Sequence, residues 1–302
     1  MSQSSMNQSS LNTPSAGQPK VSVVIGSYNR LNFLRLTIDS VRRELSGHPH
    51  EIIVVDGGST DRTLPWLMKQ KDIITIVQHN RGTWNKHPIR RRSWGYFMNL
   101  GFKAAEGKYT CMLSDDCLVV PGAIINGVKH FEQLLVAGQP IGALAFYWRN
   151  WPEQQKYWVG YTLGGKMFVN HGLYLRDAIQ RVGFIDEQYT FYHADGDLCL
   201  KLWQAGYVCV DSPRSFIEHY SHANSQVRAS NNEKQRQDWS DYITKWSGVY
   251  WVPSSPNEGG WIEKDFTDVT HTADRLRSLH MKNTFHQRLI TLSLRLFHNR
   301  NS

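Results

Sequence analysis

The chain has 302 residues, 40% of them hydrophobic, with 11 Trp, 13 Tyr and a formal charge of +8. That suffices for one large α/β domain plus an extension, and the positive balance favours anionic partners. No apolar run approaches 18 residues, which excludes a membrane span, and the four cysteines show no CxxC spacing and read as buried thiols in a reducing compartment.

Met1 to Lys20 is rich in Ser, Gln and Asn, has no basic segment followed by an apolar one, and is expected to be a disordered tail rather than a secretory signal. The protein is expected to be cytoplasmic. Val21 to Ile25 is a short apolar run of the kind that forms a buried parallel strand. Asn32 to Leu45 follows as a helix with Leu34, Ile38, Val41 and Leu45 on one face. Ile52 to Val55 is the second strand and stops at Asp56-Gly57-Gly58-Ser59, where Ser59 or Thr60 suits a helix cap. Ile73 to Val77 is a third strand. A helix through Phe97, Leu100, Gly101 and Ala104 leads to a fourth strand, Tyr109 to Leu113. Strand–helix alternation predicts right-handed crossovers and a parallel sheet, with ligands beyond the carboxyl ends of its strands.

The second half is less regular. A helix is expected through Ile124, Ile125, Val128, Phe131 and Leu135, then a strand from Ala143 to Tyr147. Trp148 to Lys166 reads as loops or hairpins. Asp197 to Ala205 is a helix ended by Gly206, followed by a strand from Tyr207 to Val210. Beyond Ala223 the chain turns polar, then tryptophan-rich, then basic. Residues 1–20, 21–222 and 223–302 are thus expected to be a tail, a catalytic domain and a partly helical basic extension.

Five constellations carry chemistry. Asp56 sits where a strand meets a Gly-Gly turn, as a base-binding carboxylate or an ordinary turn acid. Asp115-Asp116 leaves a buried strand. A close acid pair is costly without a cation or proton between its members, and hard cations take such ligands; a solvated loop pair is the alternative. Asp195 and Asp197 precede a helix, one able to cap it and the other free for acid–base work. His219 and His222 follow the next strand, as ligands or as satisfied histidines. Lys86 with Arg90-Arg91-Arg92 is a solvated face or a phosphate clamp.

In order along the chain, Val21-Ser22-Val23-Val24-Ile25-Gly26-Ser27-Tyr28-Asn29-Arg30, Val54-Val55-Asp56-Gly57-Gly58-Ser59-Thr60-Asp61, Asn99-Leu100-Gly101, Ala105-Glu106-Gly107-Lys108-Tyr109 and Leu113-Ser114-Asp115-Asp116 resemble a family 2 glycosyltransferase. Gly183-Phe184-Ile185-Asp186-Glu187, Asp195-Gly196-Asp197-Leu198 and Gly206-Tyr207 resemble its acceptor half. The resemblance spans Val21 to His222. It implies a GT-A fold, which is Rossmann-like: a mostly parallel sheet flanked by helices. It also implies inverting transfer from a nucleotide-diphosphate sugar to a saccharide or lipid-linked acceptor, with Mn2+ or Mg2+. Ser27, Asn29, Arg30, Asp56, Asn99 and Asp115 would bind the nucleotide. Asp116 and His219 would hold the metal. Asp195 would be the base, and Tyr192, His193 and Trp148 would meet the acceptor. Three departures stand out. Gly26 replaces the usual Pro, Ser114 stands where the first acid of an Asp-x-Asp motif is common, and a segment around Thr83 to Trp94 is inserted. Met98 also replaces a frequent arginine, for which one of Arg90 to Arg92 would substitute.

A nucleotide-sugar-binding protein without turnover is the alternative. Nucleic acid is not an expected partner, because the basic residues are dispersed and no recognition motif is present. From Arg275 to Ser302 there are six Lys or Arg and no acid. Phe285, Leu289, Leu292 and Leu296 form an apolar stripe there. Residues 282–298 are expected to lie on a membrane interface or to dock on protein.

Overall fold

The computed structural model describes residues 20–220, 234–253 and 259–282. The expected tail, His222 and most of the basic amphipathic stretch lie outside the described residues.

The first half alternates as its hydrophobic pattern requires: β1 (Val21–Ser27), α1 (Leu31–Glu44), β2 (His50–Asp56), α2 (Thr63–Leu67), β3 (Ile73–Val77), α3 (Trp94–Ala104) and β6 (Tyr109–Ser114). A short hairpin of β4 (Thr83–Trp84) and β5 (His87–Pro88) occupies the insertion before α3. β1 lies between β2 and β6, parallel to both, and β2 pairs in parallel with β3. Alternate residues of these strands face opposite layers. Val23, Ile25, Ile52 and Val54 pack with Leu34, Ile38 and Phe131 on one face. Val24, Ile53 and Met112 pack with Phe102 and Leu198 on the other. Each fully buried aliphatic or Phe side chain there contributes roughly 1.5–3 kcal/mol.

The second half completes the sheet. β7 (Cys117–Val119) and α4 (Ala123–Val136) lead to β8 (Ile141–Asn150), β9 (Tyr157–Thr162), β10 (Lys166–Met167) and β11 (Gly172–Leu175). α5 (Arg176–Arg181) and α6 (Ala194–Gln204) precede β12 (Val208–His219). The sheet runs β10-β9-β8-β11-β6-β1-β2-β3, and β12 joins β8 and β7. β11 is antiparallel to both of its neighbours, whereas β12 runs parallel to β8. The sheet is therefore mixed, with its parallel block at β6-β1-β2-β3, and helices flank it.

Several sequence expectations need correction. β12 does not stop at Val210; register shifts between Ser212 and Phe216 let it continue to His219. Ser59 and Thr60 do not cap α2, whose N-cap is Arg62, because Ser59 is spent on Asp56. Neither Asp195 nor Asp197 caps α6. That N-cap is His193, in the left-handed region at φ 66°, and both acids lie inside the first turn.

The described segments beyond 222 are built into the same core. α7 (Gln235–Lys245) buries Tyr242, and Trp246 follows it into the cluster holding Leu198 and Leu200. β13 (Trp261–Lys264) pairs antiparallel with β9. A further helix over 274–282 places buried Leu276 beside Phe33, Leu118 and Tyr220.

Candidate active site

Register assembles the first centre. Ser27 pairs with Asp56, and Gly26 pairs with both Val55 and Ser114, so β1, β2 and β6 end level with one another. The loops that follow carry Asn29-Arg30, Gly57 to Asp61, and Asp115-Asp116. Asn29 adopts φ 53°. Its side-chain oxygen accepts from the amides of Thr60 at 2.7 Å and Asp61 at 3.3 Å, tying two of the loops together. Asp56 is fully buried. One carboxylate oxygen accepts from the amides of Gly58 and Ser59 at 2.8 and 2.6 Å, and the other accepts from the Ser59 hydroxyl at 2.7 Å. Burial nevertheless raises its pKa, against those hydrogen bonds. Gly58 is required here: it sits at φ 82°, and an added Cβ would lie 2.3 Å from the His79 ring.

Arg30 is the cation between the acid pair. Its Nη1 donates to Asp115 Oδ1 at 2.8 Å and Asp116 Oδ2 at 2.9 Å. Burial and the neighbouring Asp116 push the Asp115 carboxyl up to about 6, against Arg30. Asp116 is equally desolvated, yet Arg30 and then His219 hold it well below the usual carboxylate range. Asp115 Oδ2 and Asp116 Oδ1 are buried and have no hydrogen-bond partner among the described residues. Orphaned carboxylate oxygens are costly unless a cation reaches them.

β12 delivers His219 to that pair. Its register sets His219 opposite Cys117 on β7 and beside Asn150 on β8. The Asn150 side-chain oxygen accepts from His219 Nδ1 at 2.7 Å, so in the neutral ring Nε2 carries a lone pair. Nε2 lies 3.5 Å from Asp116 Oδ1. One carboxylate oxygen and one oriented imidazole nitrogen fit a divalent ion, and the nitrogen suits Mn2+ better than Mg2+. Trp148 packs on Trp158 and sets its edge against His219 and His171. Its ring contacts thus lie in the His219 cluster and do not include Tyr192 or His193. Burial drives the His171 imidazole down to about 3, and it is neutral.

The second centre is Asp195. Its Oδ2 accepts from Asn170 Nδ2 at 2.8 Å and its Oδ1 from the Gly196 amide at 2.9 Å. The next residue, His171, belongs to the cluster around His219, so the dipeptide 170–171 links the two centres. Gly172 follows at φ 157°, where an added Cβ would lie 2.1 Å from the Leu144 carbonyl oxygen. The Phe146 amide donates to the His171 carbonyl at 2.8 Å, which pins the dipeptide.

The loop bearing Tyr192 and His193 is held by a residue the sequence reading did not single out. Asp238 on α7 is buried and accepts from the amides of Thr190, Phe191 and Tyr192 at 2.8, 2.9 and 2.9 Å. His193 stacks on Tyr242 with centroids 5.1 Å apart. Asp197 is not available for proton transfer. It is fully buried and bonded to Tyr189, Lys245 and Trp246. Asn99 uses its whole amide on the 185–187 turn, donating to the Ile185 carbonyl and Glu187 and accepting from the Ile185 amide.

The departures also have places. An added Cβ at Gly26 would sit 3.4 Å from Met98 Sδ, so the two unusual residues touch. The insertion is closed at its base by Asn80, which brackets the Arg92 backbone. The Arg92 guanidinium lies 5.0 Å from the centroid of the Tyr96 ring.

Comparison with known proteins agrees with this geometry. The model of the glycosyl transferase family 2 matches residues 22–180. An uncharacterised glycosyltransferase of Rickettsia prowazekii is 24% identical over 242 residues, 75% of this chain and 72% of that protein. An uncharacterised protein of Sinorhizobium fredii is 24% identical over 245 residues; the match covers 70% of this chain but only 25% of that protein. Among solved structures, a mannosyltransferase of Pyrobaculum calidifontis in complex with GDP-Man and Mn2+ superposes with a TM-score of 0.55 at 17% identity, covering 79% of this chain and 68% of that one. The S. aureus TarS 1-349 fragment in complex with UDP-GlcNAc gives 0.51 at 15%, covering 74% and 66%. At these identities the likeness speaks for the fold, which is GT-A. Among the described residues no helix is long and apolar enough to cross a membrane.

Proposed function

The chain belongs to glycosyl transferase family 2, and on that footing we propose that it is an inverting, metal-dependent glycosyltransferase. The donor is a nucleotide-diphosphate sugar and the acceptor a saccharide or lipid-linked hydroxyl, in the assembly of a bacterial surface polysaccharide or glycolipid. The observation that carries this reading is the bridge through Asn170 and His171. A carboxylate suited to take a proton and a carboxylate–imidazole pair suited to a diphosphate metal stand on adjoining residues.

Asp195 takes the proton of the acceptor hydroxyl as its oxygen attacks the anomeric carbon from the side opposite the leaving group. Asn170 holds the carboxylate for this, and a positioned base of this kind contributes on the order of 10²–10⁴-fold. Asp116 and His219 would hold Mn2+ or Mg2+, which when bound offsets the charge of the departing nucleoside diphosphate. Arg30, which bridges Asp115 and Asp116, would supply a further positive charge to the phosphates. Asp115 faces the ribose. Asn29 shapes the loop pair that receives the base, and Ser27 and Asp56 stand at its floor. Tyr192 and His193 line the acceptor side. Asn99 acts through the 185–187 turn, as a positioning residue. Trp148 buttresses His219, a role that replaces direct acceptor contact. The enzyme works in the cytoplasm, and residues 282–298, most of them outside the described residues, either contact a membrane interface or dock on protein.

A thermal-shift screen of nucleoside diphosphates with and without Mn2+ tests the reading, because a ligand of the native state raises apparent stability by RT ln(1 + [L]/Kd). A metal-dependent shift for at least one nucleoside diphosphate is expected. No shift with any of them refutes a nucleotide donor. A shift without donor turnover supports the binding-protein alternative.

A further inference from the structure

Beside Asp116 and His219 stand two further donors that transfer does not use, Cys117 and His171. Cys117 opens β7, directly opposite His219 in the β12 register. His171 lies just before β11 and is 2% exposed. Cys117 Sγ is 3.7 Å from His171 Nε2 and 3.9 Å from Nδ1. Cys117, His171 and His219 each offer a ligand atom, all within 4.8 Å of one another. The fourth side is Asp116 Oδ1, which is buried, accepts no hydrogen bond among the described residues and lies 3.5 Å from His219 Nε2. Arg30 engages only the other oxygen of that carboxylate.

Two features distinguish this set from ordinary core packing. A buried imidazole needs hydrogen-bond partners for its ring nitrogens. Among the described residues the hydrogen-bonding partner of the His171 ring is the Cys117 sulfur alone, a weak donor and a weak acceptor. The spacing also matches a tetrahedral ion. Metal–sulfur and metal–nitrogen bonds of ordinary zinc length place the two ligand atoms about 3.6 Å apart.

We propose that Cys117, His171, His219 and Asp116 form a site for a soft divalent transition ion of the zinc class, beside the diphosphate metal and sharing His219 and Asp116 with it. Thiolate and imidazole select such an ion over Mn2+ and Mg2+, which prefer oxygen. On binding, the Cys117 thiol releases one proton to solvent and its sulfur takes the metal. The two imidazoles bind neutral and Asp116 binds ionised, so the complex is neutral overall. Asn150 orients His219 from the second shell. An ion held this way withdraws His219 and Asp116 from the diphosphate metal, so zinc inhibits manganese-supported chemistry at the neighbouring centre.

Cobalt(II) titrated anaerobically into the full chain is the probe, and it reads the site without turnover. One Co2+ per chain is expected, with visible bands of a tetrahedral ion and a near-ultraviolet thiolate-to-cobalt charge-transfer band, both bleached by Zn2+. Cys117→Ser should lose the charge-transfer band and more than about 100-fold of Zn2+ affinity, while its affinity for nucleoside diphosphate with Mn2+ stays unchanged. His171→Gln should lose the tetrahedral bands with the thiol intact, and circular dichroism checks that each variant folds. No charge-transfer band in the wild-type protein overturns the proposal, whatever the variants do. A band that persists in Cys117→Ser also overturns it, since the thiolate then belongs to another cysteine. Cobalt binding of the expected kind in a chain that ignores every nucleoside diphosphate leaves this site standing and refutes the transferase reading alone.

Discussion

The two carboxylate centres are built by opposite strategies. Asp115 and Asp116 are placed by the register of adjacent strands, all within the first 120 residues, and only His219 arrives from far along the chain. Their oxygens are left partly unpaired, with one arginine between them. Asp195 sits on a helix whose loop and first turn are held from α7. Asp238 takes three loop amides, and Lys245 and Trp246 take Asp197. Strand register is a local rule repeated along a sheet, so the Asp115-Asp116 centre needs little from the rest of the chain. A loop has no such ladder, and its amides need an acceptor from elsewhere. The Asp195 centre therefore depends on the segment that carries α7.

This contrast can be broken at either end. The largest effect is expected from Asp195→Asn. An amide cannot accept the proton, so transfer should fall on the order of 10²–10⁴-fold while nucleotide affinity, measured by calorimetry, stays within a factor of about two of wild type. Near-normal turnover would remove Asp195 as the base. Asp116→Ala should come next. It removes the metal-side oxygen, so nucleotide affinity should lose its dependence on Mn2+, whereas Asp115→Ala should retain most of that dependence. Equal metal dependence in wild type and Asp116→Ala would show that the ion is held elsewhere.

Asp238→Ala probes the dependence of the acceptor side on α7. Three loop amides would lose a charged acceptor, a cost of about 2–4 kcal/mol and so a melting point lower by several degrees. Transfer should fall, while the Mn2+ dependence of nucleotide binding should survive, because strand register maintains the donor side. Loss of both together would erase the distinction between the centres. The smallest effect is expected from Lys245→Ala. Its ammonium pairs with Asp197 but remains partly in solvent, and Tyr189 and Trp246 still satisfy that carboxylate. A loss of about 1 kcal/mol in chemical denaturation would fit. A loss equal to that of Asp238→Ala would show that the ion pair, not the loop amides, holds the helix.

The parallel half of the fold was legible in the chain itself. Apolar runs at Val21 to Ile25, Ile52 to Val55 and Tyr109 to Leu113 each end in a polar turn, and the strands are where those runs are. The site motifs were legible for the same reason, because in such a sheet chemistry collects at strand ends. The antiparallel half was not. β11 covers only Gly172–Leu175 and β7 only Cys117–Val119, too short for a period to emerge, and β12 was hidden by the register shift through Pro213 and Arg214.

What the sequence determined by itself was the αβ order of the first half, the acid pair after β6, and the family. These rest on local periodicity and on motifs whose members are neighbours in the chain. Only the tertiary structure decided which acids are available. Asp195 and Asp197 stand two residues apart in one helical turn, yet one lies half-buried against Asn170 and the other is enclosed by Tyr189, Lys245 and Trp246. It alone brought Cys117, His171 and His219 together from three strand ends. It also turned Asp238, an acid in a polar stretch with no motif around it, into the acceptor for three loop amides. The reason is common to all three. A carboxylate, thiol or imidazole acquires its role from the groups that desolvate and pair with it, and those groups lie dozens of residues away in sequence.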